Sequence, residues 1–144
     1  MKAISLLTLV LWCMTSALIP VARAEDPAPA ADVKAKAAVC MNNARQLSIA
    51  TFQYCADKED AYPASLDDLK TYLGGSLEKF TCPFDPKKAG CGYEFLLAGK
   101  TVSKIEEPTK TPMIRAKFTS PDGRRTVVFA DGHVERVKDE PAAK

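Results

Sequence analysis

Asp32 to Ala56 reads DVKAKAAVCMNNARQLSIATFQYCA, and no other segment of the chain is as long or as regular. Val33, Ala37, Cys40, Ala44, Leu47, Thr51 and Tyr54 recur at alternating steps of four and three residues. That spacing keeps apolar or small side chains on one side of an α-helix. Asp32 stands where an N-cap carboxylate accepts from the free amides of the first turn, and the alanines and lysines after it favour helix. Such a helix extends about 37 Å at 1.5 Å per residue. One partner element cannot cover so long a stripe, so the rest of the chain is expected to wrap it.

Working outward, Ala56 to Asp60 is polar, and Tyr62-Pro63 ends the helix because a residue before proline is pushed out of the α region. Ser65 to Gly75, SLDDLKTYLGG, predicts a short second helix. Ser65 caps it, Asp68 holds the capping-box position, Leu66, Leu69, Tyr72 and Leu73 form its apolar face, and Gly74-Gly75 stops it. Phe80 to Pro86, FTCPFDP, is an irregular connection whose two prolines argue against a central strand. From Gly92 the period changes, and GYEFLLAG alternates at Tyr93, Phe95 and Leu97 as a strand does. Val102 to Thr111 reads as a loop. Pro112 to Phe118 predicts a second strand, placed at an edge because proline opens it.

Thr126 to Val137, TVVFADGHVERV, is a hairpin signal, with Asp131 and Gly132 as a two-residue turn between two β-rich runs. That turn sets Phe129 opposite Val134 and Val127 opposite Arg136, so Phe129, Val134 and Val127 are expected to share the face that covers the helix stripe. The resulting fold class is α+β: a long N-terminal helix and a short second helix packed on a small antiparallel sheet of three or four strands.

The first 24 of the 144 residues have the layout of a secretory signal peptide. Lys2 gives a positive start, Ala3 to Ile19 is largely apolar, and Ala22-Arg23-Ala24 places small residues two apart, so cleavage is expected after Ala24. The rival reading is an uncleaved membrane anchor, since the apolar run is near the lower limit for spanning. Residues 25–31 read as a proline-stiffened linker, 32–138 as one globular domain and 139–144 as a flexible tail. Cleavage removes Lys2 and Arg23 and leaves 18 basic against 18 acidic residues. No basic field points to nucleic acid or to an anionic membrane surface, and no membrane span is expected after cleavage. The chain is therefore expected in the periplasm or outside the cell.

Cys40, Cys55, Cys82 and Cys91 remain in the mature chain, an even number in an exported protein, which makes disulfides the leading reading. Cys40 and Cys55 are about 22 Å apart along the helix. A disulfide needs Cα atoms within about 7 Å, so these two cannot bond each other. Pairing Cys82 with Cys91 would strand two thiols in an oxidising space, which favours bonds from each helix cysteine to the later pair. The close Cys-x-x-Cys ligand pairs of a zinc site are lacking.

Cys-Met-Asn-Asn-Ala-Arg-Gln-Leu at Cys40 to Leu47, FTCPFDP, GYEFLL and the Phe129 to Glu135 segment FADGHVE occur in an order and at separations that resemble a known family. The chain is similar to the globular part of type IV pilin-like proteins and type II secretion pseudopilins. The closest likeness is to prepilin-like proteins named for a histidine, nine residues and Asp-Gly. The resemblance runs from about Val39 to Val137. It implies a pilin-like head, protein partners among secretion or pilus components, and a Cys40–Cys82 disulfide, with Cys55–Cys91 as a second bond; major pseudopilins of the type II system also bind calcium near the sheet, although no cofactor is assigned to this chain. Each bridge would close a loop of about 40 residues, for roughly 3 to 4 kcal/mol apiece. Two features depart from the family. No glycine precedes Gly74, so the prepilin cleavage site is missing, and Pro121 holds the position of the family's histidine.

Three functions compete for the polar residues. Catalysis would draw on His133, the only histidine, with Asp131, Asp122 or Glu135. Turn chemistry already accounts for Asp131, and no nucleophile is spaced to use the imidazole, so no catalytic residue is assigned and the chain is not read as an enzyme. A calcium- or small-ligand-binding module is the alternative, with Asp122 and Asp131 as weak oxygen ligands and no complete calcium loop around them. The reading preferred is an exported pseudopilin-like structural or interaction domain.

Overall fold

The computed structural model describes residues 29–88 and 90–138. The expected signal, its cleavage site after Ala24 and the tail 139–144 lie outside the described residues.

Helix α1 runs Pro29–Asp57. It begins three residues before the expected start and takes in the end of the stretch read as linker. Proline is at home at a first helical position, where its missing N–H has no partner to lose. Asp32 is consequently not the cap. It sits in the first turn, 2.7 Å from Lys36 Nζ one turn on, where a negative charge still suits the positive end of the helix dipole. The stripe is buried as its spacing requires: Ala37, Cys40, Ala44, Leu47 and Thr51 are each 3% exposed or less, with Val33 and Tyr54 half-buried at its ends.

The second helix is a 3₁₀ helix, Leu66–Leu73. Ser65 Oγ accepts from Asp67 N at 3.2 Å, the Asp68 carboxylate accepts from Ser65 N at 2.9 Å, and Gly74 closes the element in a left-handed conformation. Its buried Leu66, Leu69 and Leu73 enter the core. It is tied to α1 by Tyr72 Oη donating to Asp57 at 2.8 Å and by the edge-on contact of Tyr72 with Tyr54.

Strands β1 (Tyr93–Phe95), β2 (Pro112–Ala116), β3 (Arg124–Phe129) and β4 (Val134–Lys138) form one antiparallel meander in the order β1-β2-β3-β4. The chain is thus α+β, one long helix against a small four-stranded sheet. Leu47, Leu69, Phe80, Leu97, Met113, Ile114 and Val128 fill the space between them. Fully burying a side chain of this kind stabilises by about 1.5 to 3 kcal/mol.

Two expectations about the sheet are corrected. The strand opened by Pro112 is interior, flanked by β1 and β3, not at an edge. Proline is tolerated because it is the first residue and the register shifts between Pro112 and Ile114, where no ladder bond is demanded of it. The hairpin turn is also longer than two residues. Gly132 N donates to Phe129 O at 2.9 Å and Phe129 N to His133 O at 3.0 Å, so the loop is Ala130-Asp131-Gly132, with only Gly132 of the three at positive φ. The register becomes Val128 opposite Val134, Val127 opposite Glu135 and Thr126 opposite Arg136. A one-residue slip exchanges the two faces of a strand. Val128, Ala130 and Val134 therefore meet the core, while Val127 and Phe129 turn to the outer face.

Candidate functional site

The carboxylates singled out from the sequence are not brought together. Asp122 and Asp131 lie beyond opposite ends of β3. Asp131 serves its turn: its Oδ1 accepts from His133 N at 3.1 Å and lies 2.6 Å from His133 Nδ1. His133 in turn stacks flat on Phe129, the ring centroids 4.4 Å apart. Partial desolvation works against the Asp131 charge, but these contacts with His133 hold its carboxyl below the ordinary value. Glu135 is exposed on the edge strand. The pair Asp131–His133 is thus part of a hairpin cap, with the imidazole committed to a ring stack and a turn.

Asp122 is engaged as firmly. Both its oxygens lie 2.8 Å from Arg136 on β4, and Ser120 Oγ is within hydrogen-bond distance of the carboxylate while accepting from Arg136 at 2.6 Å. Among the described residues no cluster of three or more His, Cys, Asp or Glu has the arrangement to hold a metal ion. The Ser120 hydroxyl first, and then Arg136, hold Asp122 below its ordinary value of 3.8. A carboxyl depressed on folding contributes stability that is present above its unfolded pKa and lost as pH falls through the folded one. Thermal melts of the wild type and Asp122→Asn are therefore expected to converge as pH falls from about 5 towards about 2. A gap that stays constant over that range would remove the assigned role of the ion pair.

The four cysteines among the described residues are free thiols in the structure. Cys40 and Cys82 meet in the core, at 1% and 0% exposure, with Sγ atoms 3.4 Å apart, close but outside the roughly 2.05 Å of a bond. Tyr93 Oη donates to Cys40 O at 2.8 Å beside them. The hydrogen bond from Cys40, then the Phe84 and Asp85 amides, makes Cys82 the more acidic of the two, whereas that bond and burial push Cys40 far up. The expected Cys55–Cys91 bridge is not formed. Cys91 adjoins Gly92, which packs directly on Cys82, while Cys55 lies about four helical turns beyond Cys40.

The feature that no single motif announced is a groove on the outer face of the sheet. It is open, with a volume of about 500 Å³, and its apolar floor is Leu96, Pro112, Val127, Phe129 and Val137. Around the floor stand Lys110, Arg115, Arg125 and Lys138. Arg115 Nε is 2.7 Å from Glu94 and Lys110 Nζ is 2.8 Å from Glu107, while an Arg125 guanidinium nitrogen donates to Thr119 Oγ1 at 3.1 Å. The available signal was the run Val127-Val128-Phe129. Three consecutive apolar residues in a strand put apolar surface on both faces, and a one-sided sheet needs only one.

Among the described residues no helix is long and apolar enough to cross a membrane. Comparison with protein-family models, with curated proteins and with solved structures finds no match to this chain.

Proposed function

We propose that the chain is an exported pseudopilin-like domain with a structural or interaction role, its helix and sheet forming a pilin-like head. The observation that carries this reading is the placement of the resembling segments. The Cys40 to Leu47 segment lies on α1 and supplies its buried stripe, Cys82 of the Cys-Pro loop packs on Cys40, and the Phe129 to Val134 hairpin closes over the same helix. Segments far apart in sequence thus share one contact layer, as a common head would require. A binding role is further supported by the groove, which offers an apolar floor within a charged rim, and by the commitment of His133, Asp131 and Asp122 to turns and ion pairs.

Expression in a bacterial host with a type II secretion system, followed by mass spectrometry of the exported protein and crosslinking in the periplasm, tests the reading. The expected N-terminus is Glu25, and the expected crosslinks are to secretion or pilus components. A chain that retains Met1 in the membrane fraction, or crosslinks no stronger than those of an unrelated periplasmic protein, would overturn it.

A further inference from the structure

We infer that the outer groove of the sheet is a docking surface for an extended acidic peptide segment of a partner protein, one that places a branched or aromatic side chain on the floor between flanking carboxylates. This deepens the interaction reading proposed above and rests on it.

Charge complementarity carries the inference. Of the nine residues that line the groove, four are cationic, five are apolar and none is acidic, in a chain whose acids and bases are otherwise nearly balanced. The cations come from separate elements: Lys110 precedes β2, Arg115 lies on β2, Arg125 on β3 and Lys138 at the end of β4. The strand register explains their convergence. Arg115 is opposite Val127, and Arg125 is opposite Val137, so both guanidinium groups rise from the same face as the two valines. Glu94 and Glu107 hold Arg115 and Lys110 from outside the lining, at 2.7 and 2.8 Å. These pairs are exposed, and a ligand carboxylate exchanges for such a partner at little cost. A volume of about 500 Å³ is that of a small-ligand cleft. Its open form suits a chain lying across the sheet better than an enclosed molecule.

Fluorescence anisotropy with the exported full-length chain and labelled twelve-residue peptides tests the assignment. The peptides alternate Glu with Leu, Lys with Leu, and Glu with Ser. The Glu-Leu peptide is expected to bind about tenfold or more tightly than either control, and to weaken several-fold when salt rises from about 0.05 to about 0.5 M. Lys110→Glu combined with Lys138→Glu, two changes at the surface, is expected to weaken it about tenfold with an unchanged melting temperature. Equal binding of the Lys-Leu peptide, insensitivity to the double reversal, or displacement by free dodecanoate as effective as by the unlabelled peptide would each overturn the proposal. Those failures leave the N-terminus and the periplasmic crosslinks untouched, so they are distinguishable from failure of the interaction reading itself.

Discussion

Replacing Gly92 by alanine is expected to destabilise the domain by about 3 kcal/mol, the upper end for overpacking a well-filled core. A Cβ at this position would stand 2.5 Å from both Cys82 Cβ and Cys82 N, and 3.0 Å from Cys82 Cα. Two of those three atoms are backbone, so no rotamer change relieves the clash. Retreat is blocked on the other side as well. Gly92 N donates to Phe80 O at 3.0 Å and Gly92 O accepts from Lys117 N at 2.8 Å, which pins the residue between the Cys-Pro loop and the extension of β2. The next residue, Tyr93, is 1% exposed and anchored to Cys40 O, so a shift of Gly92 would also drag a core ring and its hydrogen bond. At about 4 to 8 °C per kcal/mol for a domain of this size, the melting temperature should fall by roughly 10 to 20 °C. Thermal and urea melts check this, and a fall of less than about 3 °C would mean that the loop and β1 are not held together as described.

Gly92 also shows what a linear reading of the chain leaves out. Its requirement comes from a residue ten positions away in sequence and from no special dihedral angle, so no local pattern marks it. The helix stripe is the opposite case. Val33 to Tyr54 repeats with the helical period over six turns, and each repeat adds to the same conclusion, so the centre line of its buried face was legible, while Ser48, Ala50 and Cys55, buried beside that line, were not. Ser65 with Asp68 and Gly74 was legible for a similar reason, since caps are local chemistry. The hairpin was recognised but slipped by one residue. Asp131-Gly132 serves a two-residue turn and equally a three-residue loop with glycine at its end. Val127-Val128-Phe129 presents an apolar residue to the helix in either register. The structure takes the three-residue loop, which seats Gly132 against α1, where a Cβ would meet the Phe52 ring at 2.7 Å. Pro112 misled because strand propensity does not foresee a register shift that excuses its missing N–H. The charged rim of the groove was invisible for the most general reason. Its cations come from four places in the sequence, and only strand pairing assembles them.

Oxidation of Cys40 and Cys82 to a disulfide is expected to be the largest single stabilising event in this chain. Their Sγ atoms are 3.4 Å apart, so closing the bond needs a movement of little more than 1 Å. The cysteines are 42 positions apart, and the chain-entropy model assigns a loop of that size about 4 kcal/mol. Each thiol loses one proton and one electron, and both pairs pass by thiol–disulfide exchange to the disulfide of an oxidant protein, which becomes a dithiol. Both sulfurs are sealed in the core, so the reaction has to precede docking of the Cys-Pro loop on α1 or wait for that loop to open. Denaturing alkylation of unreduced exported protein should then label Cys55 and Cys91 and leave Cys40 and Cys82 unmodified. Reductant should lower the wild-type melting temperature by on the order of 15 °C or more, and leave a Cys40→Ala, Cys82→Ala variant unmoved. The variant separates the lost bond from the lost packing, since only the bond responds to reductant. Labelling of all four cysteines, or a wild-type melt indifferent to reductant, would show that the core keeps this pair as thiols, and that the loop is held on α1 by packing and the Tyr93 hydrogen bond alone.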